Sequence, residues 1–268
     1  MTASQEFTTA HAAWHAEVES ARTAPYGPLS PVALHWLTGE PQTFDEAPGT
    51  WSASDGTVTA ELAAADGVTR DGEPLAGVVR LGPLTGTASL TLEWGERRIE
   101  LAARSGGVIL RPRDPASPDR ADYRGTATFP PDERWVVTAR FSLAPREAVE
   151  VASAAGESKT QAYDSPGVAE FEVDGQPIRL TLFGSRGHGD LRAIFADATG
   201  QDLTFPAARF VNAEQIAGDT VVIDFNRAVN PPCAYSESAT CPFPPAGNRL
   251  PVRIEAGELR PGISVPAP

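Results

Sequence analysis

The stretch FEVDGQPIRLTLF, residues 171–183, decides the fold of this chain. Apolar side chains occupy every second position on either side of Asp174-Gly175, namely Phe171 and Val173 before it and Ile178, Leu180 and Leu182 after it. A period of two places these side chains on one face of a strand. Asp-Gly favours the tight turn in which both central residues have positive φ. The stretch therefore predicts a β-hairpin with one apolar face.

The same pattern recurs along the chain. Asp55-Gly56 and Asp71-Gly72 each lie between alternating runs, and Gly95-Glu96 separates two more. Further strands are predicted at Trp135 to Leu143, Leu191 to Phe195, Val221 to Phe225 and Leu250 to Ala256. Strands joined by short turns, without helical crossovers, are typical of antiparallel sheets. We therefore predict a mostly β protein, built as an antiparallel barrel or sandwich.

One helix is predicted at the start of the chain, from about Glu6 to Arg22. Apolar and aromatic side chains recur there at helical spacing, at Phe7, Ala10, His11, Trp14 and Val18. Pro25 ends the helix. The short apolar stretch from Leu34 to Leu37 is compatible with one more helical turn.

These elements suggest four segments. Residues 1–43 form an N-terminal helical segment, and residues 44–110 form a small antiparallel β layer. Residues 111–128 form a connecting loop rich in proline and arginine, which is either a linker or a loop folded onto the second half. Residues 129–268 form the main antiparallel β domain.

Composition limits the classes of function. The 268 residues can bury a core without a disulfide or a metal. The net charge of −13 argues against nucleic acid as a partner, because a phosphate backbone requires a basic face, and also against an anionic membrane. No apolar run approaches a membrane span, and the opening MTASQEFTTAHAAW lacks the features of a secretory signal. We expect a cytoplasmic protein with a small-molecule partner; the oligomeric state is not predicted.

Common catalytic and cofactor motifs are absent from the sequence. It contains no G-x-S-x-G elbow, phosphate-binding loop, dinucleotide fingerprint or H-E-x-x-H. The spacing of His11 and His15 permits a shared metal, but one packed ring and one exposed ring is the favoured interpretation. His188 lies in a glycine-rich turn where a plain loop is favoured over a hydrolytic role. No metal and no cofactor are therefore predicted.

Polar residues concentrate between residues 191 and 258. In the predicted strand ending at Phe225, the alternation places Asp224 and Asn226 on the face opposite the core. We expect both within reach of Arg209 or Arg111. Asn230-Pro231-Pro232 stiffens the backbone that follows. Such rigidity either supports an irregular loop or holds polar groups ready for a ligand.

The long stretch DFNRAVNPPCAYSESATCPFPPAGNRLPVRIEAGE, residues 224–258, resembles the signature of the domain-of-unknown-function 1684 family of bacteria and archaea. The resemblance extends to FADATGQDLTFPAARF at 195–210, to RPRDPASP at 111–118 and to GPLSPVALHWL at 27–37. The chain departs from the family pattern at Phe205, where Tyr is expected, and at Val229, where an aromatic residue is usual. The family's recurrent polar positions fall here on Arg111, Asp114, Ser117, Asp197, Thr199, Gly200, Arg209, Asp224, Asn226, Arg227, Asn230, Cys233, Cys241, Asn248 and Glu258. No activity comes with the resemblance.

These residues support two hypotheses about function. The first is a polar pocket that binds a small anionic or polar ligand, with acid–base catalysis by Asp224, Asp197 or Glu258 left open. Its predicted ligand-binding residues are Arg111, Asp114, Arg209, Asp224, Asn226, Asn230 and Asn248. The alternative is a structural or partner-interaction module in which the same Arg, Asp and Asn groups only support the proline-rich loop. Internally paired arginines would favour the alternative.

Cys233 and Cys241 are the only cysteines and lie next to Pro232 and Pro242. They could form a disulfide, bind a metal or remain two separate buried thiols. A metal would need further ligands, and a reducing cytoplasm opposes a disulfide. A disulfide or a close oxidisable pair is nevertheless favoured, because an irregular loop gains most from a crosslink.

Overall fold

The fold is seen in a computed structural model that describes residues 2–154, 156, 159–184 and 191–263. The chain divides into two compact units. The barrel unit comprises residues 1–20, 124–235 and 241–268, and the N-terminal unit comprises residues 21–123 and 236–240. Compared with the four predicted segments, the opening helix groups with the barrel, whereas residues 236–240 group with the N-terminal unit. The predicted mostly β, antiparallel fold is confirmed.

The predicted N-terminal helix is observed as α1, Ala3–Arg22. It begins three residues earlier than expected and ends where predicted. His11 is buried, whereas Trp14 and His15 are half-buried. Among the described residues, no helix combines the length and apolar character needed to cross a membrane.

The N-terminal unit contains two antiparallel sheets among its described residues. Its strands are β1 (His35–Leu37), β2 (Gln42–Phe44), β3 (Ala47–Ser54), β4 (Thr57–Leu62), β5 (Val68–Arg70), β6 (Glu73–Pro74), β7 (Gly77–Leu81), β8 (Ser89–Trp94), β9 (Arg97–Arg104) and β10 (Gly107–Arg113). The six-stranded sheet has the order β1-β10-β9-β8-β5-β6, and the four-stranded sheet has the order β2-β3-β4-β7. Their apolar faces share one core around Trp51, Leu92 and Leu101.

Two predictions for this unit need correction. The stretch from Leu34 to Leu37 is not a helical turn, because His35–Leu37 pairs with β10 as strand β1. The predicted connecting loop, 111–128, begins inside strand β10 and continues into a short helix, α2 (Pro118–Asp122). The hydroxyl of Ser117 caps this helix and donates to the Leu29 carbonyl oxygen. Residues 111–123 therefore belong to the N-terminal unit, and residues 124–128 belong to the barrel unit.

The barrel unit is built from six antiparallel strands. They are β11 (Val136–Ala152), β12 (Thr160–Val173), β13 (Gln176–Phe183), β14 (Leu191–Phe195), β15 (Arg209–Ala217) and β16 (Thr220–Asp224). Each strand pairs with the next, and β16 pairs back to β11, so that the sheet closes into a barrel. Its interior holds the alternating residues predicted from the sequence, among them Phe171, Leu180 and Ile223.

The hairpins and their turns match the sequence prediction. Asp174 has φ 49° and Gly175 has φ 75°, and Asp55-Gly56 and Asp71-Gly72 also have positive φ at both positions. In the hairpin of β12 and β13, Phe171 pairs with Ile178 and Ala169 with Leu180. Local turn chemistry therefore fixes the register of these strand pairs.

The stretch from Leu250 to Ala256 is not a strand. Leu250, Val252, Ile254 and Ala256 are all buried, so the predicted alternation is present. However, the backbone does not join a ladder: the Leu250 amide donates to the Ala196 carbonyl, and the Ile254 amide donates to the Asp197 carboxylate. The segment packs against the barrel core as irregular chain that side chains hold in place.

Candidate functional site

Two of the predicted site residues, Asp197 and Arg209, form a buried network in the barrel unit. The guanidinium of Arg209 donates to Asp197 Oδ1 at 2.9 Å and to the carbonyl oxygens of Ile254 and Ala256. Asp197 also accepts from the Ile254 amide and from the Thr199 hydroxyl. Burial lowers the pKa of Arg209, and the Asp197 carboxylate opposes that shift. These contacts tie the irregular C-terminal segment to β15.

Asn248 forms a second structural contact where two barrel strands separate. Among the residues that the structure describes, strands β13 and β14 pair through Leu182 with Ala193 and Phe183 with Arg192. The Asn248 side chain spans the adjoining gap: Oδ1 accepts from the Thr181 amide, while Nδ2 donates to the carbonyl oxygens of Thr181 and Ile194. An amide side chain therefore supplies hydrogen bonds that the strands do not make with each other.

Asp224 and Asn226 do not share a strand face. Strand β16 ends at Asp224, whose carboxylate accepts from the backbone amide of Asn226, and residues 225–227 form a 3-10 turn. Asp224 pairs with the half-exposed Arg227 at 3.3 Å, not with Arg209. Asn226 is buried and exchanges two hydrogen bonds with the backbone of Asp132. The expected buried Asp224–arginine pair is therefore absent from this turn.

Arg111 and Asp114 belong to the N-terminal unit, where each has partners. Arg111 Nη2 donates to the Thr240 hydroxyl, and Arg111 Nε lies 3.9 Å from Glu100. Asp114 pairs with Arg97 at 2.7 Å. Burial raises the pKa of Glu100, but Arg111 and Arg113 more than offset this and hold the pKa below its usual value. Glu100, which the sequence analysis missed, is the buried charge that organises these arginines.

Cys233 and Cys241 lie side by side in the barrel unit, both as thiols. The Cys233 amide approaches the Cys241 sulfur at 3.3 Å. A hydrogen bond to Cys241 and, secondarily, burial raise the pKa of the Cys233 thiol far above its usual value. Cys233 is therefore close to Cys241 and weakly nucleophilic, and the disulfide remains a prediction.

We expect the folded protein to react slowly with an alkylating reagent at neutral pH, because the thiolate is the reactive species. A mild oxidant is expected to convert the pair into an intramolecular disulfide, measured as the loss of two hydrogens in the intact mass. By the chain-entropy model, this short crosslink would stabilise the fold by roughly 2–3 kcal/mol. Cys233→Ser is the control. Mixed dimers as the main oxidation product would contradict close pairing.

Glu258 is the predicted candidate that remains most distinctive in the structure. Its side chain is fully buried, and Oε2 accepts from the backbone amide of Asn230 at 2.7 Å. The Tyr235 hydroxyl lies 3.5 Å from the same oxygen and contacts the Thr126 hydroxyl at 2.8 Å. The proline-rich loop thus holds polar groups around a carboxylate, which is compatible with both interpretations of its rigidity.

Gly257 explains how this carboxylate is positioned. It has φ 77°, and a Cβ at this position would lie 2.5 Å from the carbonyl oxygen of Ala228. Only glycine allows so close an approach with this backbone conformation. As a result the next amide, that of Glu258, donates to Ala228. The glycine of the EAGE stretch therefore fixes the position of Glu258.

Helix α1 brings a histidine and a second carboxylate to the other oxygen of Glu258. His15 Nε2 lies 3.6 Å from Glu258 Oε1 and 3.9 Å from Glu19 Oε1. His15 Nε2 is shielded from solvent and has no hydrogen-bond partner, and Asn230 Oδ1 is in the same condition. We refer to His15, Glu19 and Glu258 as the His15 cluster. Sequence reasoning noted His15 only as a partner of His11.

His11 has a different role from His15. Its Nε2 is 3.0 Å from the carbonyl oxygen of Asn226, so the neutral ring donates there. Burial is the main cause of its lowered pKa. The two rings are nearly parallel, with centroids 6.4 Å apart. His11 therefore anchors helix α1 through the backbone of Asn226, whereas His15 belongs to the His15 cluster.

An open cleft of about 630 Å³ lies elsewhere in the barrel unit. Aromatic and proline side chains form its floor, and its rim carries charge; it is lined by Ser4, Phe7, Phe129, Pro130, Pro131, Asp132, Glu133, Arg134, Trp135 and Glu255. None of the predicted site residues lines it. The signal that could have located it is the pair Pro130-Pro131 between Phe129 and Trp135 in the sequence.

The fold and site together define an antiparallel β-barrel protein with a buried carboxylate–histidine cluster beside its N-terminal helix. The chain belongs to the DUF1684 family, described as "Protein of unknown function", whose profile matches residues 121–259, just over half of the chain. A solution NMR structure of an uncharacterized protein from Haloarcula marismortui is 28% identical, with a TM-score of 0.44; the similarity covers 52% of this chain and 78% of that one. No curated protein shows significant similarity.

Proposed function

We propose that the protein binds a small polar ligand at the His15 cluster. The observation that carries this proposal is the ring nitrogen of His15, which is shielded from solvent, lacks a hydrogen-bond partner and lies 3.6 Å from the fully buried Glu258. A buried polar atom without a partner has a free-energy cost, which a bound group would remove. Converging polar groups of this kind are typical of binding sites.

The charges at this site favour a cationic or hydrogen-bond-donating ligand. The anionic ligand expected from the sequence depended on Arg209 and Arg111. Arg209 is engaged by Asp197 and two carbonyl oxygens, and Arg111 contacts Glu100 and Thr240. The His15 cluster instead presents two carboxylates and an imidazole. A ligand that complements these groups therefore carries positive charge or donates hydrogen bonds.

Catalysis, if the ligand is a substrate, would fall to Glu258 and His15. A carboxylate and an imidazole in contact can act as acid and base on a bound molecule. Asp197 is less suited to this role, because Arg209, Thr199 and the Ile254 amide already occupy its oxygens. We place this function in the cytoplasm, in keeping with a composition that requires no crosslink.

The alternative function is a structural or partner-interaction module without a ligand. The observations that favour it are the Asp197–Arg209 network and the Asn248 bridge, both of which satisfy backbone groups of irregular chain. On this view Glu258 would belong to the same scaffold. Ligand occupancy of the His15 cluster distinguishes the two functions.

Native mass spectrometry of freshly purified protein tests the proposal. We expect the folded chain to carry excess mass from a bound species, and His15→Ala to lose it. His35→Ala is the matched control, because His35 forms a similar pair with Glu46 at 3.1 Å and belongs to no group of three potential metal ligands among the described residues. Equal occupancy in both variants, or none in the parent protein after incubation with cell extract, would support the structural alternative.

A further inference from the structure

Resting on the proposed ligand site, we infer that the His15 cluster is a binding site for a divalent transition-metal ion. His15 Nε2, Glu19 Oε1 and Glu258 Oε1 would be its protein ligands. No metal was predicted from the sequence, which suggested only a His11–His15 pair. The structure divides that pair, since His11 is engaged with Asn226 and His15 faces two carboxylates.

The distances suit a single ion. Donors bound to one zinc ion at about 2.0–2.2 Å lie about 3.4 Å apart in tetrahedral geometry. The three ligand atoms here lie within 4.8 Å of one another, with His15 Nε2 at 3.6 Å and 3.9 Å from the two oxygens. Small side-chain rotations would bring all three donor atoms within bonding distance of one ion. His15 and Glu19 are one helical turn apart, a spacing that places both side chains on one face of α1.

The unpartnered nitrogen is an independent indication of a ligand. Buried polar atoms are nearly always hydrogen-bonded, and an exception can mark the position of a bound ion or water. His15 Nε2 is such an exception, since its distances to the two carboxylates exceed hydrogen-bond length. The Asn230 Oδ1 atom, in a residue that is 5% exposed and whose backbone amide donates to Glu258, also lacks a hydrogen-bond partner.

Support around the cluster matches what a metal site requires. Ligating carboxylates are usually oriented by outer hydrogen bonds, and Glu258 receives one from the Asn230 amide. Gly257 fixes the backbone at this point. By contrast, His15 and Glu19 are 20% and 23% exposed, so that an ion could enter from the helix side.

The types of the three donor atoms indicate which metal ions the site would bind. One imidazole and two carboxylates suit zinc, manganese or iron(II) better than calcium or magnesium, which prefer oxygen alone. Three protein ligands leave one position for water or a substrate, as in catalytic zinc sites.

The test is a zinc and manganese titration of the full chain by isothermal calorimetry. We expect one ion per chain, and at least about 10-fold weaker binding in His15→Ala and in Glu19→Gln. The matched control His35→Ala should bind as the parent does. Cys233→Ser is included, because two neighbouring thiols can also bind zinc. Circular dichroism verifies that each variant is folded, and cobalt(II) absorption reports directly on nitrogen and oxygen ligation.

Each outcome decides a separate point. Binding that persists in His15→Ala, or that is lost only in Cys233→Ser, would overturn the metal assignment. If neither ion binds but native mass spectrometry detects an organic occupant that His15→Ala loses, the metal assignment fails and the proposed function stands. If neither metal nor occupant is found, both fail.

Discussion

Replacing Asp197 with alanine is expected to destabilise the barrel unit by about 3–5 kcal/mol, the usual cost of removing one partner of a buried ion pair. Arg209 would keep its charge without its counterion in a fully buried position. The Ile254 amide and the Thr199 hydroxyl would also lose their acceptor. Because domains are stable by only about 5–15 kcal/mol, the loss is large.

Urea unfolding followed by circular dichroism measures this effect. Asp202→Ala is the matched control: Asp202 pairs with Arg253 in the same region, but both side chains are about half exposed. Exposed pairs contribute about 0–1 kcal/mol, so its midpoint should stay close to that of the parent. If Asp197→Ala unfolds at the same urea concentration as Asp202→Ala, the Asp197–Arg209 pair does not stabilise the barrel unit as its burial implies.

Replacing Asn248 with alanine is expected to cost about 2–4 kcal/mol, since it leaves several buried backbone groups without partners. The Thr181 amide and carbonyl and the Ile194 carbonyl each bond this one side chain. The effect should be local, at the gap between β13 and β14. Hydrogen exchange should therefore show loss of protection at the Thr181 amide first.

Asn212→Ala provides the comparison for Asn248→Ala. Asn212 is exposed, and its carboxamide oxygen accepts from Nε of the exposed Arg192 at 3.3 Å. We expect a change within about 0.5 kcal/mol. An Asn248→Ala variant with unchanged exchange at Thr181 would mean that water replaces the bridge without cost.

Local sequence was sufficient for the strands, the turns and the opening helix. Alternation and Asp-Gly turns act between neighbours, so Asp174-Gly175 specifies its hairpin without help from the rest of the chain. The same reasoning failed at Leu250 to Ala256. There the alternation correctly marks burial, but pairing depends on distant groups, and Asp197 rather than a strand accepts the Ile254 amide.

The sequence by itself also singled out most of the polar residues, since Glu258, Asn230, Arg209 and Asn248 are all buried. It could not assign their partners, because a side chain reaches any residue that the fold brings near, whatever the distance along the chain. Only the tertiary structure decided that Arg209 pairs with Asp197 and that Asp224 pairs with Arg227. Likewise, only the packing of helix α1 places His15 beside Glu258, because 243 positions separate them along the chain.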